Sequence, residues 1–392
     1  MTARPLRLFL LVGEHSGDQL GFKLMRALRE RLGEGVSFDG VGGTAMIAEG
    51  LESLFPLDDV AVMGIAAVLP RLPTFYARGW QAIDRIVADP PDALIIIDSP
   101  DFTHAVARRV RKRLPQLPVI DYVSPSVWAW RPGRAKKMRR YIDHVLALLP
   151  FEPEAHRRLG GPACTYVGHP LIERLDELRP GPAEAGMQRE RPLVLALPGS
   201  RSSEIGRLTA LFGEALGLVA ASGTAFDVVV PTVPRQADRV RELVAAWPVE
   251  AQVVAEEGEK YAAFRQARAA LAASGTVTLE LALAGVPMVG AYRVPGWEAF
   301  IARRLIRTPF VLPPNIILGR GAVPELLQEN ATAANLAQAL APLIGDTPER
   351  AAQVEAFAQL DGHMRLDNGE APSQRAARVV LDVATGRNVD RR

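Results

Sequence analysis

The feature that most restricts how this chain can fold is a rhythm that stops once and starts again. Short runs that are apolar at every position alternate with amphipathic helical stretches. Leu6–Gly13, Ala93–Asp98, Val119–Val123 and His144–Leu148 read as strands, with helical patterns near Gln19–Arg31, Phe75–Ala88, Phe102–Leu114 and Phe151–Leu159. A strand without polar alternation is buried on both faces, so helices must cover both sides of a mostly parallel sheet. Gly168 to Pro192, with Arg179-Pro-Gly-Pro182 inside it, is rich in proline, glycine and charge and reads as an interdomain linker. The pattern then restarts at Leu193–Leu197, Phe226–Val230, Gln252–Ala255, Ala269–Ala272 and Pro287–Ala291. This predicts an α/β protein of two Rossmann-like, doubly wound domains, with ligand in the cleft at the carboxyl ends of the strands. Beyond Pro342 the pattern is helical, and at least one of its helices is expected to pack back across the N-terminal half. The expected bounds are 1–170, a linker at 171–192, 193–355, and a returning helical segment at 356–392.

Bulk properties agree with that plan. A chain of 392 residues exceeds one ordinary core and suits two. Its single cysteine, Cys164, excludes an internal disulfide, fits a reducing compartment and reads as a small buried hydrophobe. The apolar run at the N-terminus is too short for a secretory signal, and no uncharged apolar stretch approaches the ~18 residues that span a bilayer. The expected location is therefore the cytoplasm. Net charge is only +2, but the basic residues gather at Arg108–Arg113 and Arg131–Arg140. Such runs are usually solvated helix faces; here they also suit anionic headgroups or phosphates. Few aromatics and no familiar nucleic-acid module argue against nucleic acid.

Several strand ends carry chemistry. Gly13-Glu-His-Ser-Gly-Asp18 joins the first strand to a helix, and its glycines would let backbone approach a ligand. The glycine spacing is not the dinucleotide fingerprint, and Glu14 and Asp18 would repel a diphosphate. Ser16 or Asp18 capping the helix is the competing reading. Asp98 ends a buried strand, where a carboxylate points to the ligand side and could serve as a general base. Asp101 reads as a cap. The loop Asp121 to Pro132 carries Trp128, Trp130, two prolines and Arg131, and could stack on sugar or meet lipid, although core packing of at least one tryptophan is expected. In the second half, Gly199 and Ser200 could present backbone amides and Arg201 paired donors to a phosphate. Ser274, Gly275 and Thr276 leave a helix N-terminus bare, and Glu280 follows on that helix. Capped strand-to-helix turns are the ordinary alternative for both loops. His169 reads as structural, and no histidine has metal-ligand spacing, so no metal or cofactor is expected.

Taken in order, these segments resemble the lipid-A-disaccharide synthase family. The resemblance is carried by Gly13-Glu-His-Ser-Gly-Asp18, Asp98-Ser-Pro-Asp-Phe102, Tyr122-Val-Ser-Pro-Ser-Val-Trp-Ala-Trp-Arg131, Leu197-Pro-Gly-Ser-Arg201, Ser274-Gly-Thr276 with Glu280, and Pro314-Asn315. It implies a GT-B glycosyltransferase of family 19 from a Gram-negative bacterium. Such an enzyme joins UDP-2,3-diacylglucosamine to 2,3-diacylglucosamine 1-phosphate with inversion and releases UDP. Carried over residue by residue, Asp98 takes the base position with Glu14 beside it, and Arg201 meets the diphosphate with Ser200. Ser274, Gly275, Thr276, Glu280 and Asn315 surround the nucleotide, and Ser16 and Asp18 face the cleft. His15, Thr44 and Pro313 depart from the family pattern, and Pro313 bears on how Asn315 is presented.

Lipid substrates give the uncharged stretch Val60–Pro70, with Leu72 and Phe75, an expected interfacial role on the inner face of the cytoplasmic membrane. A homodimer with exchanged C-terminal segments is compatible with the resemblance. The rival readings are another GT-B enzyme on a UDP-sugar, namely an N-acetylglucosaminyltransferase or an epimerase, and a non-catalytic membrane-surface protein. The last has little use for two anion-ready loops and a carboxylate.

Overall fold

In the computed structural model, residues 4–61, 69–182, 184, 189–296, 299 and 308–387 are described. The chain divides into two units, Met1–Pro170 with Leu366–Arg392, and Leu171–Arg365.

The first unit is built on β1 (Leu6–Val12), β2 (Val36–Val41), β3 (Glu52–Ser53), β4 (Ala93–Ile97), β5 (Val119–Tyr122), β6 (His144–Ala147) and β7 (Ala163–Tyr166). Among the described residues these form one sheet in the order β3-β2-β1-β4-β5-β6-β7, every pairing parallel. The order reverses direction between β1 and β4, which is the switch point of a doubly wound sheet. Val12 pairs with Ile97 there, so both strands end side by side. The all-apolar β4 is buried throughout, as a strand covered on both faces must be.

The second unit repeats the plan with β8 (Leu193–Leu197), β9 (Asp227–Pro231), β10 (Gln252–Val254), β11 (Ala267–Ala273), β12 (Met288–Tyr292) and β13 (Glu325–Leu327). Its order is β10-β9-β8-β11-β12-β13, again parallel among the described strands, with the switch point between β8 and β11. Leu197 pairs with Ala272, so the loops after β8 and β11 emerge together.

Four strands, β2, β3, β7 and β13, were not expected from the sequence. They are short or carry polar residues on a half-buried face, as Val36-Ser-Phe-Asp-Gly-Val41 does, so their runs lack the apolar signal. Two expected boundaries also shift. The segment read as a linker is anchored in the second unit, because Arg179 donates to the Leu283 carbonyl at 2.7 Å and pairs with both oxygens of Asp361 at 2.6 and 2.8 Å. Position 356 falls inside one unbroken helix, Pro348–Met364, whose Gln353 bonds both the N–H and the carbonyl of Met288. The return to the first unit starts at Leu366. There, helix Pro372–Ala384 lies on helix His15–Leu32, with Arg31 donating to Gln374 at 2.9 and 3.0 Å.

Candidate active site

At the first switch point the backbone itself is unusual. Asp98 and Ser99 both hold left-handed conformations, φ +58° and +43°. Such consecutive non-glycine residues cost roughly 1–3 kcal/mol each and persist only where neighbours impose them. The neighbours are evident. Asp98 N–H donates to the Tyr122 carbonyl at 3.1 Å. Thr103 Oγ1 donates to the carbonyls of Asp98 and Ser99 at 2.8 and 3.1 Å. The turn lifts the Asp98 side chain to the end of β4, half-exposed. One carboxylate oxygen accepts from the Ser99 N–H at 2.7 Å and the other from the Ser16 hydroxyl at 3.0 Å. Asp98 and Ser16, far apart in sequence, thus meet. Glu14 is the N-cap residue of helix His15–Leu32 and is also half-exposed at this edge.

The glycines here serve protein packing rather than ligand approach. A Cβ on Gly13 would lie 2.3 Å from that of Ser99, and one on Gly17 would press on Val12 and the Ile97 carbonyl. The two turns are interlocked. Asp18 also departs from its expected role. It is 3% exposed, and its oxygens accept from the N–H groups of Gly43, Ala45 and Met46 at 2.8–3.1 Å. It closes the N-terminus of helix Thr44–Ala48 from across the fold and presents nothing to a substrate. Asp101 does not cap. Its side chain is almost fully exposed, 3.6 Å from Arg134.

At the second switch point, Gly199 has φ +112°, and a Cβ there would meet Glu204 at 2.5 Å. Glu204 organises this loop. Its carboxylate accepts from the N–H groups of Ser200 and Arg201 at 3.3 Å and from the Arg201 guanidinium at 3.0 Å. Of the two amides expected to cradle phosphate, those of Gly199 and Ser200, the one on Ser200 is therefore satisfied internally. The Arg201 side chain remains half-exposed and is tethered at one nitrogen. Glu204 carried a legible signal in the sequence, its spacing three residues after the loop residue Arg201. Beside this loop, helix Thr276–Leu283 begins with Gly275 as N-cap and no side-chain cap, and Thr276 is exposed. The N–H groups of Thr276 and Val277 have no acceptor within the helix and could meet an anion, while Thr278 N–H donates to the Gly275 carbonyl at 3.1 Å. Glu280, mostly buried, forms an ion pair with Lys260, a cation that sequence reasoning missed.

Asn315 is a correction. It is fully buried, with its amide donating to the Val323 carbonyl and to Glu325 at 2.8 Å while its oxygen accepts from the Val323 N–H at 2.8 Å. Glu325 in turn accepts from the N–H groups of Val311 and Leu312. With both amide hydrogens spent on this staple and the side chain fully buried, Asn315 presents no donor to a nucleotide.

Beneath the aromatic loop lies a buried polar network. Trp128 Nε1 donates to Glu152 at 3.1 Å and stands edge-on to Phe151, so it packs inward, while Trp130 is exposed under the Arg131 guanidinium. Burial pushes the Glu152 carboxyl up to about 7, against hydrogen bonds from Leu149 and Trp128 that pull it down. Ser124 and His156 share a hydrogen bond of 2.8 Å, and burial holds His156 below the ordinary imidazole value. Burial likewise pushes the Cys164 thiol up, and an un-ionised thiol is a poor nucleophile. Desolvation draws half-buried His169 down to about 4. These groups are structural.

The family model described as lipid-A-disaccharide synthetase matches residues 8–379. A lipid-A-disaccharide synthase of Nitrobacter hamburgensis is 55% identical over 378 residues, covering 96% of this chain and 95% of the relative. One from Bradyrhizobium diazoefficiens is 55% identical over 376 residues, covering 96% of each. Among solved structures, the chain is similar to a putative UDP-N-acetylglucosamine 2-epimerase of Listeria monocytogenes, with a TM-score of 0.61 at 14% identity, covering 97% of this chain and 96% of the other. It is also similar to MurG of Acinetobacter baumannii, with a TM-score of 0.58 at 15% identity, covering 97% and 100%. Likenesses at such low identity report the fold.

Proposed function

The chain belongs to the lipid-A-disaccharide synthase family of glycosyltransferases, and from that premise we propose how its residues perform the reaction. The donor is UDP-2,3-diacylglucosamine and the acceptor is 2,3-diacylglucosamine 1-phosphate. The acceptor hydroxyl gives its proton to Asp98 as its oxygen attacks the anomeric carbon of the donor. The bond to UDP breaks on the opposite face, the configuration inverts, and UDP leaves. Arg201 and the bare N-terminus of helix Thr276–Leu283 take up the charge that grows on the diphosphate. The hydroxyl of Ser200 adds a donor there, and Ser274 and Gly275 shape the turn that leaves that N-terminus open. Glu280, held by Lys260, faces the ribose hydroxyls. Glu14 tunes the electrostatics around the base, and Ser16 holds it in place.

The observation that carries this reading is the placement of Asp98. Its carboxylate sits at a switch point, aimed by Ser16 and Ser99 from a backbone conformation maintained at a cost in stability. The test is direct. Purified protein is given both substrates, and disaccharide 1-phosphate and UDP are measured in equal amounts. UDP released without disaccharide indicates a hydrolase or an epimerase instead.

We also propose that the enzyme works as a peripheral protein on the cytoplasmic face of the inner membrane. Among the described residues no helix is long and apolar enough to cross a membrane. Most of the stretch Val60–Pro70 lies outside the described residues, but helix Leu72–Ala88 exposes Leu72, Tyr76 and Trp80 at a spacing of four. That is one face of a helix, apolar and turned to solvent. Arg109 and Arg113 stack on Trp80 at 5.6 and 5.2 Å, placing cations beside it. Replacing Tyr76 and Trp80 by Glu is expected to abolish sedimentation with anionic phospholipid vesicles; unchanged sedimentation would remove this face from the membrane contact.

A further inference from the structure

The first unit contains a groove that the mechanism above does not use. Its volume is about 640 Å³, and it lies between helix Pro100–Arg113 and the segment from Arg131 to Tyr141. It starts at Pro100, two residues beyond Asp98, and runs along the helix past His104 and Arg108 to Lys112. Twelve helical residues rise about 18 Å, so the groove leads away from the base along one helix face.

Its charge is one-sided. Seven of its lining side chains are cations and one, Asp101, is a carboxylate. Two of the cations are engaged, Arg111 with Asp143 and Arg134 with the Pro100 carbonyl. Arg108, Lys112, Arg131, Lys137 and Arg140 have no carboxylate partner among the described residues. Arg108 is nevertheless held in place, its Nε donating to the His104 carbonyl at 3.2 Å and its guanidinium lying over Tyr141. His104 and Tyr141 are themselves buried and fixed, with His104 Nε2 3.1 Å from Asp121 and Nδ1 3.3 Å from the Tyr141 hydroxyl. Five uncompensated cations around one concavity repel one another, and a polyvalent anion in the groove removes that cost. The volume falls within the range of small-molecule sites, roughly 300–1,000 Å³, which suits a phosphorylated sugar and leaves no room for a duplex.

We propose that this groove seats the phosphate of the acceptor, a phosphomonoester carried on a sugar. The proposal rests on the function given above. In that reaction the acceptor phosphate is the one charged substrate group without an assigned partner. The groove begins at Pro100, two residues along the chain from the base that must receive the acceptor hydroxyl. Seating the phosphate along Arg108 and Lys137 would fix the acceptor at both ends, which is how binding energy distant from the reacting atoms is turned into orientation.

The test uses the full chain carrying Arg108→Gln and Lys137→Gln, both exposed side chains whose removal spares the core. Disaccharide formation is measured with the phosphorylated acceptor and with the same diacylglucosamine lacking the phosphate. Wild-type enzyme is expected to prefer the phosphorylated acceptor. In the double variant that preference falls by about tenfold or more, through a higher KM for the phosphorylated acceptor, with KM for the UDP-sugar and Tm unchanged. An unchanged preference overturns the assignment while leaving the transferase intact. If the preference stays and sedimentation with phosphatidylglycerol vesicles falls instead, the groove is a phospholipid headgroup site and the proposal is wrong. Wild-type protein that forms no disaccharide overturns the reaction itself, and this assignment with it.

Discussion

The two units share a strand order and a switch point, yet the chemistry at the two switch points is opposite. In the first, the strand-to-helix turns deliver a carboxylate on left-handed backbone, with Asp98 beside Ser16 and Glu14 at the same edge. In the second, they deliver a half-exposed guanidinium and a helix N-terminus without a cap. A doubly wound sheet fixes where a ligand sits and leaves its sign to the turn residues. The carboxylate turn suits proton removal, and the cationic turn suits a departing diphosphate.

This division of labour can be broken by substitution. The largest effect is expected from Asp98→Asn, which keeps the left-handed turn and removes the proposed base. Turnover should fall by roughly two to four orders of magnitude while UDP affinity, read by calorimetry, stays unchanged. Weaker UDP binding in this variant would show that the first switch point also serves the nucleotide. Arg201→Ala should do the reverse, weakening UDP affinity by about tenfold to a hundredfold. Normal affinity would relocate the diphosphate. Asn315→Ala removes a buried three-bond staple and should cost about 2–3 kcal/mol of stability in denaturant unfolding. Folded protein at low temperature should keep its KM for the UDP-sugar, whereas a raised KM would return Asn315 to the nucleotide site.

The smallest effect concerns pH. The Glu152 carboxyl is raised to about 7, so its protonated form is the one the fold favours. Its contribution to stability is complete below the ordinary carboxylate value and is lost as pH rises through about 7. Glu152→Gln cannot ionise but can accept only one of the two hydrogen bonds from Trp128 and Leu149. The variant should melt below wild type near about pH 5, and the gap should narrow toward about pH 8. A gap that widens with pH would mean that Glu152 is ionised in the folded protein.

The doubly wound plan was legible because two-sided burial writes itself into composition. Leu94-Ile-Ile-Ile97 and Leu193-Val-Leu-Ala-Leu197 admit few other readings. Glu52–Ser53 and Ala163–Tyr166 do not, since short edge strands are held by pairing rather than by side chains. The site residues divide in the same way. Position after a strand marked Asp98, Arg201 and Thr276 as candidates, but it marked Asp18 equally well, and the family resemblance alone marked Asn315. Whether a polar side chain turns toward ligand or toward neighbouring amides depends on contacts 8–28 residues away. The basic groove was visible only as two charge runs until the fold set Arg108 and Lys137 around one hollow.

Asp98 and Ser99 also bear on how this protein would drift. A glycine at 98 would adopt φ +58° without strain, so the acid is kept at the expense of thermal tolerance. A lineage released from making its product, and selected only for a soluble chain, would be expected to shed the carboxylate at 98 early and melt at a higher temperature afterwards.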